Sequence, residues 1–144
     1  MCDFIVISTN SSEDLSHLEH DTACFSKDIR FEQPLELLKY HNQYRLFEKE
    51  SACGCFFRVF DPNLGMIAPQ EWLDESNDNL DNTYFAYDHI KRLLSEGYQV
   101  DCISIWTGQT PDDEVFDYGT VNLDQIDRDT FAFLFQTYFN YIID

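Results

Sequence analysis

Positive charge is what this sequence has least of: nine Lys+Arg stand against 27 Asp+Glu in 144 residues, a formal net charge of −18. Nucleic acid and anionic membranes both demand a basic surface, so direct binding to either is excluded as an expectation. Glycine is scarce as well, with five in the whole chain. They are scattered, and no Gly-x-x-x-x-Gly-Lys phosphate loop is present. Nor is there a Gly-x-Ser-x-Gly elbow or a His-Glu-x-x-His pair, so nucleotide-dependent and common hydrolytic chemistry have no local support. No catalytic residue, metal ligand set or cofactor is assigned on motif grounds. No apolar run approaches the roughly 18–20 residues of a membrane span. The opening Met1-Cys2-Asp3-Phe4 carries no basic region, which argues against a secretory signal and for a cytoplasmic protein. Five cysteines, an odd number at irregular spacing, do not form a secreted disulfide framework.

What is present is a core. The chain is 44% hydrophobic and 16% aromatic, too apolar for a disordered chain and about the size of one domain. A single compact acidic domain over 1–144 is the expectation. Asp3–Thr9 is a β-branched run that reads as a buried strand. Ser11–Asp28 is polar and reads mostly as loop, and Ile29–Glu32 as a short edge strand. Pro34 can open a short helix near 34–41. Tyr44–Phe47 and Cys55–Phe60 read as a hairpin.

The clearest element is a helix over 79–96. Leu80, Tyr84, Tyr87, Ile90 and Leu94 form its apolar stripe, Asp88 and Arg92 an i,i+4 pair, and Gly97 its left-handed stop. Tyr98–Trp106 follows as a strand, then Val115–Leu123 as a strand interrupted at Gly119. Asp127-Arg128-Asp129-Thr130 offers capping chemistry for a second main helix over 129–142, with a strand over Phe131–Phe135 as the alternative. The class is therefore α+β, with a mostly antiparallel sheet, two main helices (79–96 and 129–142) and a shorter one near 34–41.

Three local features carry possible chemistry. Cys53-Gly54-Cys55 is too tightly spaced for a usual zinc pair, although His17, His20 and Cys24 offer further ligands. Cys2, exposed by loss of Met1, resembles an N-terminal nucleophile ahead of a strand. Asp101, between Val100 and Cys102, is the carboxylate most suited to partial burial. The bland readings are turn and core cysteines, solvated histidines and a structural carboxylate.

The acidic clusters weigh more. Residues 1–72 hold 12 acids and six bases, and residues 73–144 hold 15 and three. Asp74, Glu75, Asp78 and Asp81 bracket the start of the long helix. Asp112, Asp113, Glu114, Asp117, Asp124, Asp127 and Asp129 then fall close together, with aromatics such as Trp106, Phe116 and Tyr118 among them. Acids at a helix start gain from its dipole, and a charged surface keeps a protein soluble. Aromatic anchors inside a charged rim are also what tight protein interfaces use.

The Met1-Cys2 opening with its strand to Ser8-Thr9, Ser51-Ala52-Cys53-Gly54-Cys55 and Phe57-Arg58 together resemble a small bacterial protein family to which no activity is attached. The resemblance implies no site residues. In general character, though without a motif match, the chain is similar to toxin-immunity proteins. The functional expectation is an acidic protein-binding inhibitor covering a basic surface of a toxin or nucleic-acid-acting enzyme. Its partner-binding residues would be Asp74, Glu75, Asp78, Asp112, Asp113, Glu114, Asp117, Trp106, Phe116 and Tyr118. The alternative is a small enzyme or metal-binding domain using Cys2, or Cys53 and Cys55 with His17 and His20. Thiol titration of protein purified under reducing conditions and then denatured should count all five cysteines; a mapped bridge would refute this.

Overall fold

The computed structural model describes residues 3–29, 35–49, 57–60, 77–106 and 116–144; for Asp3, Leu35, Asn77, Asp78, Trp106 and Phe116–Tyr118 only the backbone is described. Four consecutive strand partners form the body of the sheet. Strand β1 (Asp3–Thr9) lies between β3 (Asn42–Glu48) and β5 (Val100–Trp106), and β2 (Ala23–Ser26) pairs with β3, all antiparallel. Strand β8 (Thr137–Ile142) adds antiparallel to β5, and β6 (Phe116–Asn122) adds parallel to β8. The order is β2-β3-β1-β5-β8-β6. Two two-residue strands, β4 (Val59–Phe60) and β7 (Phe133–Leu134), pair in parallel beside it. The described residues form a small α+β domain with a six-stranded mixed sheet and one main helix, α1 (Asn77–Ser95).

The second main helix expected over 129–142 is instead β7 and β8. Its first turn does begin as the capping residues imply, with Asp127 O accepting from Thr130 N and Phe131 N, both at 3.0 Å. The next amides then leave. Phe133 N donates to Arg58 O at 2.9 Å and Phe135 N to Phe60 O at 2.8 Å. A β ladder thus takes the hydrogen bonds a helix would have used, and Gln136 at φ 54° turns the chain into β8. Near 34–41 a single 3-10 turn forms over Leu35–Leu37. There the amides of Lys39 and Tyr40 are drawn to Asp101 Oδ2 (2.8 Å) and Ser8 Oγ (3.2 Å) on the sheet.

Other expectations shift in the same way. Ala23–Ser26 is a strand inside the stretch read as loop. Strand β3 pairs with β1 and β2, and β4 with β7, so the expected 44–47/55–60 hairpin is not formed by the described residues. Of the expected edge strand at 29–32, only Ile29 is described, and it is not in a strand.

Helix α1 ends where expected. Gly97 sits at φ +93°, and Tyr98 N returns to Leu93 O at 3.0 Å, closing the C-terminal turn. Its apolar face is rotated from the expected stripe. Phe85, Ala86, Tyr87, Ile90, Leu93 and Leu94 are buried, while Leu80 and Tyr84 are only half-buried. Arg128 lies over the Tyr84 ring, 4.5 Å from its centroid, which explains the partial cover. The i,i+4 pair Asp88–Arg92 does not form either. Arg92 reaches Glu13 at 2.6 Å, and Asp88 holds Arg128 at 2.8 Å. Both long-range pairs place two donors on a carboxylate, which a local pair at that spacing cannot match.

The sheet is buried on both faces. One face packs Ile5, Ile7, Leu46, Val100, Cys102 and Phe139 against α1. The other gathers Phe4, Val6, Ile103, Ile105 and Tyr138 with Leu38 and Ile29. Gly119, at φ +80°, marks the β6 irregularity between Asp117 and Gly119, where the sequence shows its interruption.

Two substitutions check this packing by chemical denaturation. Ile90→Ala, at a fully buried helix position, should cost about 2–5 kcal/mol. Leu80→Ala should cost well under half of that if the helix is phased as described.

Candidate functional site

The most heavily bonded polar group on the sheet is Asp101, fully buried on β5. Ser8, its register partner on β1, donates from Oγ to Asp101 Oδ1. Tyr138 on β8 donates its hydroxyl to Oδ2 at 2.7 Å, and Lys39 N donates to the same oxygen at 2.8 Å. Beside them, Tyr40 Oη is 3.2 Å from Asn140 Oδ1. The sequence pointed to Asp101 as partly buried; it is wholly so, and its acceptors are filled by three donors. A carboxylate in this state is a clamp between three strands and the 35–41 segment, with no lone pair aimed at open solvent.

The histidines are occupied in a comparable way. His20 Nδ1 accepts from Ala23 N at 3.0 Å and Thr22 N at 3.3 Å, and its Nε2 faces Asp81 at 3.1 Å. Both ring nitrogens are therefore engaged. Exposed His17 sits 3.4 Å from Asp14. Among the described residues no group of three or more His, Cys, Asp or Glu is placed to hold a metal ion. Cys2, Cys53 and Cys55 lie outside the described residues. Cys102 is buried, and burial drives its thiol well above the ordinary thiol range; Cys24 is half-buried and also raised by burial.

Of the expected partner-binding residues, Asp74, Glu75, Asp112, Asp113 and Glu114 lie outside the described residues. The backbone places the others. Trp106 ends β5 opposite Asp3, and Phe116 starts β6 beside Thr137, itself the partner of Ser104. Trp106, Phe116, Asp117 and Tyr118 thus meet at one end of the sheet, two strands apart. Asp78 stands at the same end. One turn along α1 from it, Asn82 accepts from Thr22, which precedes the Ala23–Glu48 pair at the Asp3 end of the sheet.

The described acids of the 112–129 cluster are divided. Asp124, Asp127 and Asp129 follow β6, whose seven residues extend roughly 20 Å. They therefore lie at the opposite end from Asp117. Strand β6 is the edge of the described sheet between the two groups.

Next to the Asp124–Asp129 loop is a feature invisible in the sequence. A pocket of about 110 Å³ opens to the surface, lined by Val121, Ile126, Thr130, Phe131, Ala132, Leu134, Phe139 and Tyr141. Its lining comes from β6, the loop that follows it, the β7 segment and β8. A helix reading of 129–142 conceals the pocket.

The basic side chains complete the electrostatic picture. Lys27 pairs with Asp14, Lys91 with Asp124, Arg92 with Glu13 and Arg128 with Asp88. Arg58 donates to Asp129 O and Phe131 O, and Lys49 to His20 O. Lys39 lies over Tyr138, and Arg45 over Phe4 and Phe47. Every described cation is thereby tied into the fold. Comparisons of the chain with protein-family models, curated proteins and solved structures find no match.

Two pH responses follow from the buried groups. His89 packs against Phe25 and Phe85, and burial holds its pKa below the ordinary 6.5, helped by Arg92 and His20 and opposed by Asp88 and Glu13. The unfolded chain takes up that proton first, so stability falls as pH drops below about 6.5. Glu13, lowered chiefly by its hydrogen bond from Arg92, extends the loss below 4.5. Urea midpoints across this range should fall on acidification, and His89→Gln should flatten the part just below pH 6.5.

At the alkaline end, burial raises Cys102 and Tyr141, so stability should fall once the unfolded chain begins to ionise, above about 9. Thiol alkylation at pH 8 with peptide mapping should leave Cys102 unmodified in the native protein and label it once urea unfolds the chain.

Proposed function

We propose that this protein is a cytoplasmic, non-enzymatic inhibitor that covers a basic surface of a protein partner, in the manner of immunity proteins that neutralise bacterial toxins. The observation that carries the reading is the allocation of charge. All eight described Lys and Arg side chains are committed to internal pairs, carbonyls or rings, so the excess of 18 acids over bases has no counter-charge to draw on from them. Self-repulsion of that size destabilises a compact fold, and a basic partner relieves it.

Acids stand at both ends of edge strand β6. A standard interface of about 800 Å² per partner is wide enough to span the roughly 20 Å between them. One partner laid along β6 meets Trp106 and Phe116–Tyr118 at one end and Asp124–Asp129 at the other. Acids set the rate and specificity of encounter, and aromatics hold the complex.

The test is binding to a basic toxin or nuclease, should one be encoded beside this gene. Changing Asp112, Asp113, Glu114 and Asp117 to Asn or Gln should slow association by about tenfold at low salt, with the gap closing as salt screens the field. Fold stability should not fall, because like charges are removed. Equal association rates at every ionic strength would remove the electrostatic part of the reading.

A further inference from the structure

The pocket beside β6 combines two properties that seldom adjoin in so acidic a chain. Its walls are aliphatic and aromatic, and about 110 Å³ is the scale of one side chain, below the roughly 150 Å³ cavity that accepts a benzene ring. The loop that supplies two of its lining residues, Ile126 and Thr130, carries exposed Asp124, Asp127 and Asp129. The one base in that loop, Arg128, is turned away into its pair with Asp88 and its stack on Tyr84. Asp124 is already held by Lys91 and the Asp144 amide, which leaves Asp127 and Asp129, next in sequence to lining residues Ile126 and Thr130, as the carboxylates beside the pocket. An apolar group arriving with positive charge on either side matches both parts.

The loop is also held firmly. Tyr87 Oη donates to Leu123 O at 3.2 Å and Ile126 O at 3.0 Å, and Thr130 closes onto Asp127 O. A rigid, preformed socket binds without the entropy cost of ordering a loop.

We infer that the pocket bounded by Val121, Ile126, Phe131, Leu134, Phe139 and Tyr141 receives one aliphatic side chain of the basic partner, whose flanking Lys or Arg residues pair with Asp127 and Asp129. This rests on the reading of a basic protein partner and adds to it the anchoring residue and its position. The shape requirement is for leucine or isoleucine, because the volume does not admit tryptophan.

Two capped tripeptides, Arg-Leu-Arg and Arg-Ala-Arg, serve as probes in an NMR titration of the whole chain at low salt. The leucine peptide should bind up to about fiftyfold tighter, the limit for fully burying three further carbons. It alone should shift the methyl signals of Val121, Ile126 and Leu134, while both peptides shift the Asp124–Asp129 amides. Ala132→Leu, which fills the pocket, should abolish the discrimination and leave salt-dependent binding of both peptides. Leu134→Ala, which enlarges it, should move the preference from Arg-Leu-Arg toward Arg-Phe-Arg; either variant suffices if the other fails to give a native spectrum. Equal affinities for the first two peptides with unmoved methyls would overturn the socket and leave the acidic-surface reading standing. If neither peptide shifts the loop amides at low salt, both are overturned.

Discussion

The Asp101 carboxylate is the constraint on which the sheet depends. It sits on β5 with Ser8 on one neighbouring strand and Tyr138 on the other, and it takes the Lys39 amide from the segment that covers this face. A buried charge is costly unless every acceptor is filled. Satisfying it aligns β1, β5 and β8 in one register, since a slip of one residue carries each partner to the opposite face. The same bond explains why Leu35–Tyr40 does not continue as a helix. The amides of Lys39 and Tyr40 are worth more to a buried carboxylate and hydroxyl than to an i−4 carbonyl near solvent.

Charge is organised by a comparable division of labour. The few cations hold elements together: Arg92 ties α1 to the loop after β1, Arg128 and Lys91 tie it to the loop after β6, and Arg58 secures the turn before β7. Most of these pairs are part-exposed and individually weak. Their collective effect is to hold each of these cations against a carboxylate, carbonyl or ring of the fold.

Elements with a clear helical period or a β-branched run were legible in the sequence. The long helix and Gly97 stop follow from a 3.6-residue period and a left-handed glycine, and β1 and β5 from β-branched runs bounded by turn residues. The C-terminal segment was not, and Phe131–Tyr141 shows why. Strand β8 lies between β5 and β6 and is buried on both faces, so its aromatics lack period-2 alternation and surround a notional helix on all sides. Aromatics on every side of an expected surface helix mark a central strand. The short β2 escaped because half of its four residues face outward. At the candidate site, Trp106 and Phe116–Tyr118 were placed near one another by sequence proximity, and strand pairing brings them to one sheet end. The separation of Asp117 from Asp124–Asp129 by the length of a strand has no signature in a one-dimensional charge count.

The parallel pairing of β6 with β8 also sets an order of assembly. On the ribosome β6 emerges before the strand it must lie against, so it has no place in the sheet until β8 follows. During that interval β5 is an open edge with a complete hydrogen-bonding ladder on offer, the kind of template that recruits strands from other chains. The side chain at its second position is Asp101, still lacking the Tyr138 hydroxyl. An inward-facing carboxylate there penalises any intruding strand that brings no donor of its own. The residue that locks the finished sheet thereby guards the nascent one against aggregation.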